Sequence, residues 1–201
     1  MVAEAEEAEA VFRPGRTEFL AAENDAGRRA RERGKLVHRL LESLPDLARD
    51  RRAETGKRFL DAFAENWEAD ERATLLTVIL AILDRSEFAE AFAPGSRAEV
   101  EIAGRIATEA GMATVAGRVD RLAVADDRIL IVDYKTNRPA PQTLNEVPAA
   151  YVAQLALYRL VLRSLYPGKI VAAALLWTDG PALMEVPDDM LNQAESRLKA
   201  T

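Results

Sequence analysis

Apolar residues in the first half of the chain recur at intervals of three and four, the period of a helix with one buried face. Residues 30–44 (ARERGKLVHRLLESL) set Leu36, Val37, Leu40, Leu41 and Leu44 on a single stripe, and Pro45 closes the segment. Residues 57–71 and 73–92 continue the helical pattern. Pro94-Gly95-Ser96 then interrupts it, and the period changes to two. Residues 97–107 and 112–125 read as strands joined by a turn over TEAGM. Residues 127–136 form a third strand, apolar on both faces and therefore central in a sheet. QTLNEVP is a loop. Residues 149–168 predict a long helix closed by Pro167-Gly168, with Val152, Leu155, Leu162 and Leu165 as its core stripe. A buried strand over 169–178, an edge strand over 182–187 and a terminal helix over 188–200 follow, with Asp188 as the helix cap. This order predicts an α/β fold: a mixed sheet flanked by helices, preceded by an N-terminal helical lobe. The expected division is an acidic tail or linker and lead-in helix over 1–27, a helical part over 28–93, and the sheet with its helices over 94–201.

Composition narrows the chemistry. The 201 residues include no cysteine, which removes disulfides, thiolate zinc sites, iron–sulfur clusters and cysteine nucleophiles, and suits a cytoplasmic location. The longest apolar run, Ala73 to Leu83, is too short to span a bilayer. The N-terminus carries Glu4, Glu6, Glu7 and Glu9 with no basic residue among its first ten, so it is no signal peptide, and it begins as if cut from something longer. Net charge is −6, yet residues 28–58 hold eleven Lys and Arg against five Asp and Glu. That surplus is either a solvated helical face or a phosphate-facing patch.

The stretch ILIVDYKTNRP, Ile129 to Pro139, brings the chemistry to one place. Asp133 and Lys135 close a buried-looking strand and share one face. A two-residue turn at Asp126-Asp127 pairs Val124 with Ile129 and Leu122 with Ile131. The same register sets Asp120 opposite Asp133, and Arg118 opposite Lys135. Two facing carboxylates are unfavourable unless one is protonated, a cation lies between them, or the register shifts. A salt bridge from Asp133 to a nearby cation is the plainer alternative. A divalent ion such as Mg²⁺ accepts carboxylate oxygens and keeps waters for chemistry. Lys135 would then orient a water or stabilise developing phosphorane charge.

GRVDRL and IVDYKTN, with aspartates thirteen positions apart, resemble the core of the PD-(D/E)XK nucleases, and more narrowly the RecB/AddA-type nuclease domain at the C-terminus of double-strand-break repair helicases such as AddA. GKLVHRLLESL, AEVEI and AYVAQLALYR fall in that family's order, so the resemblance covers roughly residues 30–186. It implies a restriction-endonuclease-like core. It also implies His38, Asp120, Asp133 and the main-chain carbonyl of Tyr134 as metal ligands, and Lys135 as the catalytic lysine. Glu99 becomes the accessory acid, with Glu101 on the same strand face as the alternative. Gln154 and Tyr158, one helical turn apart, orient the substrate or support the site, and Tyr151 could share their face. Arg118 and Arg138 are candidate phosphate contacts, and Asn137 closes the turn after the strand. Glu42 either orients the His38 imidazole or faces solvent.

The implied activity is Mg²⁺-dependent hydrolysis of DNA phosphodiesters by an exonuclease domain, with Mn²⁺ able to substitute. No phosphate-binding G-x-x-x-x-G-K-[ST] motif occurs, so the chain carries no ATP site. The implied partners are DNA, a helicase motor on the same parent polypeptide and a second helicase–nuclease subunit, with no membrane. The rival readings are a catalytically inactive DNA-binding or scaffolding module and a standalone phage or restriction-type nuclease.

Overall fold

The structure is a computed structural model and describes residues 11–12 and 25–200. In chain order the elements are β1 (Val11–Phe12), α1 (Asp25–Ser43), α2 (Arg49–Phe63), α3 (Ala69–Asp84), β2 (Arg97–Thr108), β3 (Gly111–Val124), β4 (Arg128–Lys135), α4 (Ala149–Leu165), β5 (Ile170–Trp177), β6 (Ala182–Glu185) and α5 (Asp188–Lys199). The acidic stretch over residues 1–10 lies outside the described residues. Val11–Phe12, expected within a tail, pairs as a short parallel strand with Thr114 and Val115 of β3.

One mixed sheet joins the strands in the order β1-β3-β4-β5-β6, with β2 along the other edge of β3. The pair β4–β5 is parallel, bridged by the crossover helix α4, and β5–β6 is antiparallel. The apolar run Ile129 to Val132 is buried on both faces, as its central place requires. Ala125 N–H donates to Arg128 O at 2.8 Å, which closes the two-residue turn at Asp126-Asp127. The expected pairs Val124↔Ile129 and Leu122↔Ile131 follow from it.

Two apolar clusters cover the two faces. Helices α1, α2 and α3 pack Leu36, Val37, Leu40, Leu41, Leu60, Ile79 and Ile82 over Leu130, Val132 and Tyr134. On the opposite face α4 sets Val152, Leu155, Leu162 and their neighbours over Ile129, Ile131 and Ala173. Each fully buried Leu, Ile or Val contributes about 1.5–3 kcal/mol, so the stripe on α1 alone accounts for its docking.

Four local expectations are corrected. The helical pattern expected over 57–71 is interrupted, because α2 stops at Phe63 and the Glu68/Glu71 capping box starts α3 at Ala69. The helical pattern over 73–92 ends at Asp84, and Ser86–Phe88 is a short 3₁₀ turn that buries Phe88. Leu165 is 55% exposed, since it is the last residue of α4. Asp188 is the first helical residue rather than the cap, and its carboxylate is taken by Arg159 at 2.8 Å.

Candidate active site

The site grows from a local break in alternation. Along β3, Val115 and Val119 face α4, and so does Leu122. Arg121, two residues after Val119, instead lies against Phe92 and Ser96 on the other face. A regular strand keeps residues of one parity on one face. The reversal therefore falls between Val119 and Arg121, at Asp120. The partner strand reverses at the same level. The β2–β3 ladder pairs Ala98 with Arg121 and Val100 with Val119, skipping Glu99 and Asp120 between them. Glu99 has φ +52°, a left-handed backbone that a residue with a Cβ rarely adopts. No residue is inserted and the register holds. The strands exchange faces at one level, and the side chains there stand at the boundary between the two sides of the sheet.

That boundary lets groups from opposite faces converge. His38, on α1, presents Nδ1 at 3.3 Å from Asp120 Oδ1. Glu99 completes a cluster in which one donor atom from each of the three lies within 4.8 Å of the others. Two oxygen donors and one imidazole suit a divalent cation. A cation would also offset the repulsion between Glu99 and Asp120, so the residues present fit a metal ion.

The remaining oxygen of Asp120 corrects the expected hairpin. The β3–β4 ladder ends at Arg121↔Val132. One step further Asp120 and Asp133 do not face each other as a ladder pair, because Asp120 Oδ2 accepts the Tyr134 N–H at 2.7 Å. The same ladder end leaves Arg118 without a pairing to Lys135, and on its β2 edge Arg118 is opposite Glu101. The physical reason is the same reversal: β4 continues straight while β3 turns its face, and a carboxylate replaces the lost main-chain partner.

Asp133 is 5% exposed and lies beyond the three-residue cluster. Lys135 Nζ stands 2.6 Å from Asp133 Oδ2. Burial pushes the Asp133 carboxyl above its ordinary range; Lys135 opposes this and Asp120 adds to it. Lys135 Nζ also lies 3.8 Å from the centre of the Tyr151 ring. The Tyr151 hydroxyl in turn donates to Asn137 Oδ1 at 3.2 Å. The lysine is thus held from two sides, by a carboxylate and by an aromatic face. Sequence reasoning put Tyr151 on this face of α4 but gave it no role. The visible signal is its position three residues before Gln154, on the same helical stripe.

Tyr134 points to the α1 side, edge-on to His38 with ring centroids 5.5 Å apart. Burial raises its phenol pKa. Gln154 Nε2 donates to the Tyr158 hydroxyl at 3.2 Å. Tyr158 fills the space over Gly117, where an added Cβ would fall 2.6 Å from Tyr158 Cε1. Close approach of α4 at this point requires the glycine.

The other candidates are engaged within the chain. Arg118 bridges Glu99 at 3.1 Å and Glu101 at 3.0 Å, which joins the two alternative acids through one guanidinium. Arg138 Nε meets Asp179 at 3.2 Å. Glu42 pairs with Arg39 at 2.9 Å on the helix surface. Much of the basic surplus over 28–58 is spent locally, in pairs such as Arg49–Asp84 and Lys57–Asp61. No helix among the described residues is long and apolar enough to cross a membrane.

No curated protein is similar enough to be matched. Among solved structures, one reported as "Crystal structure of SSO0001" aligns with a TM-score of 0.36 at 17% identity, over 81% of this chain and 73% of that one. The pattern describing the PD-(D/E)XK nuclease superfamily matches residues 7–199, nearly the whole length. With that match and a mixed sheet flanked by helices, the chain belongs to the PD-(D/E)XK nuclease superfamily.

Proposed function

We propose that this chain is a Mg²⁺-dependent deoxyribonuclease, an exonuclease domain that hydrolyses DNA phosphodiesters during double-strand-break repair and forms the C-terminal part of a helicase–nuclease of the RecB/AddA type. The observation that carries the reading is the Asp133–Lys135 pair beside the His38, Glu99 and Asp120 cluster, at the level where β2 and β3 exchange faces. The motif order GKLVH, AEVEI, GRVD, DYK and QLALY supports the narrower assignment. The helicase motor and second subunit are partners of this reading, and a cytoplasmic location goes with it.

His38, Asp120 and Asp133, with the Tyr134 carbonyl, would hold the ion, and Glu99 would serve as the accessory acid beside it. The chemistry a divalent ion supplies when bound is polarisation of the phosphodiester and a water of lowered pKa. The chain's own residues do the rest. Asp120 ties β3 to β4 through the Tyr134 N–H, which fixes the spacing of the two acidic strands. Lys135, paired with Asp133 and seated on Tyr151, presents its ammonium to phosphate oxygens as negative charge develops there. Gln154 and Tyr158 hold each other on the α4 side, where they support the strand end.

The test is cleavage of single- and double-stranded DNA with Mg²⁺, Mn²⁺ or EDTA, comparing wild type with Asp133→Ala and Lys135→Ala. Activity that needs the metal and falls at least a hundredfold in both variants, with thermal unfolding still cooperative, is the expected result. Full activity in either variant, or equal cleavage in EDTA, refutes the assignment.

A further inference from the structure

Arg33 lies on α1, five residues before His38. It is 8% exposed, and its buried Nη1 has no hydrogen-bond partner among the described residues. A buried guanidinium is costly without a counter-charge. It cannot escape by losing its proton near neutral pH. The surroundings add to the cost. Burial lowers the Arg33 pKa, the charge of Arg138 lowers it further, and Asp179 alone pulls it back. Here α1 passes close to the chain leaving β4. A Cβ on Gly34 would lie 3.3 Å from Thr136 Oγ1, and Thr136 directly follows Lys135.

Arg138 offers the second half of a binding site. Its Nε is engaged by Asp179. A guanidinium has five N–H donors in a planar fork, so its terminal donors remain for another acceptor. Two arginines and one aspartate leave a local charge of +1, which matches one phosphodiester. Planar forks of this kind suit paired phosphate oxygens better than a spherical halide.

We propose that Arg33 and Arg138 form a phosphate subsite beside Lys135, and that it takes the non-bridging oxygens of a backbone phosphate neighbouring the one at the Lys135 centre. The identity of the phosphate as nucleic-acid backbone rests on the nuclease reading; the anion subsite itself rests on Arg33, Arg138 and Asp179. A buried guanidinium whose Nη1 lacks a partner then becomes a binding device, satisfied when the strand arrives. Arg33 fixes the register of the strand from a helix, and Arg138 reaches it from the loop after β4.

The experiment uses two variants, Arg33→Met and Arg138→Gln. Thermal unfolding is followed with and without inorganic phosphate. Binding of a fluorescent single-stranded oligonucleotide is followed in EDTA across a range of salt. Phosphate is expected to raise the wild-type melting temperature and to lose this effect in both variants. Arg33→Met is expected to melt no lower than wild type, because it removes a buried charge that Asp179 offsets only in part. Oligonucleotide affinity is expected to drop about tenfold or more in each variant, and the slope of log affinity against log salt to shrink by about one. If Arg33→Met melts lower and keeps its phosphate response, Arg33 is a structural peg and the proposal is overturned. Should Arg33→Met fail to fold, Arg138→Gln decides, since an unchanged phosphate response and salt slope there overturn the proposal equally. If both variants bind and cut the oligonucleotide as wild type does, the nuclease reading stands and the subsite falls. If the phosphate response depends on both arginines while DNA is neither bound nor cut, the subsite stands and the nuclease reading falls.

Discussion

The left-handed backbone of Glu99 gives a quantitative test that needs no substrate. Glu99→Gly and Glu99→Ala both delete the carboxylate and its ion pair with Arg118, so those losses cancel in a comparison. What separates the variants is backbone freedom. At an ordinary strand position glycine is less stable than alanine by roughly 0.5–1 kcal/mol, because it loses more freedom on folding. At φ +52° the alanine Cβ instead costs about 1–2 kcal/mol, which glycine avoids. The difference leaves the glycine variant equal to or more stable than the alanine variant, by about 0–1.5 kcal/mol, against the usual order. With a urea m-value of about 1–3 kcal/mol/M, the unfolding midpoint of Glu99→Gly should lie level with that of Glu99→Ala or up to about 1.5 M above it. Chemical denaturation at pH 7 without metal measures this directly. A glycine variant that is less stable than the alanine variant would mean that Glu99 is not held in the left-handed region. The account of the strand reversal would then fail with it.

Two further outcomes follow from packing and burial. Gly117→Ala should destabilise by about 1–3 kcal/mol through overpacking against the rigid Tyr158 ring. Combining it with Tyr158→Leu should cost less than the two single changes added together, as read by denaturant midpoints; simple additivity would place the Tyr158 ring elsewhere. Burial also raises the Tyr158 phenol above its ordinary pKa of 10, so the folded state keeps its proton after the unfolded chain has lost it. The stabilising effect is therefore whole below pH 10 and fades as pH rises above it. Stability measured from pH 8 to 11 should decline more steeply in wild type than in Tyr158→Phe, and identical slopes would contradict the burial described.

The parts of the fold legible in the sequence are those where one period runs unbroken. The α1 stripe from Leu36 to Leu44 is such a case, and so is the doubly apolar β4 with its Asp126-Asp127 turn. Asp133 and Lys135 were readable because charge at the end of an apolar strand violates the pattern. The exchange of faces at Glu99 and Asp120 was not, because nothing in the identity of a glutamate signals a left-handed backbone. Its trace is the three-residue step from Val119 to Leu122 within a strand. The direct opposition of Asp120 and Asp133 extrapolated a regular ladder past the point where regularity ends. The gap between α2 and α3 was hidden because Glu68 and Ala69 are also acceptable within a helix, and capping depends on local geometry.

The exchange of faces has a consequence for cooperativity. Strand β3 packs on the α4 core through Val115 and Val119 on one parity and through Leu122 on the other, while Arg121 and Ala123 turn to the opposite side within the same few residues. Neither layer of helices can detach without disturbing a strand that also packs against the opposite layer. The two cores are cross-stitched at the level where the acidic residues stand, and each half of the fold serves as the foundation of the other. A fluctuation that loosens either side reaches the same stitch, so the groups gathered there are positioned by the whole domain rather than by any one of its layers.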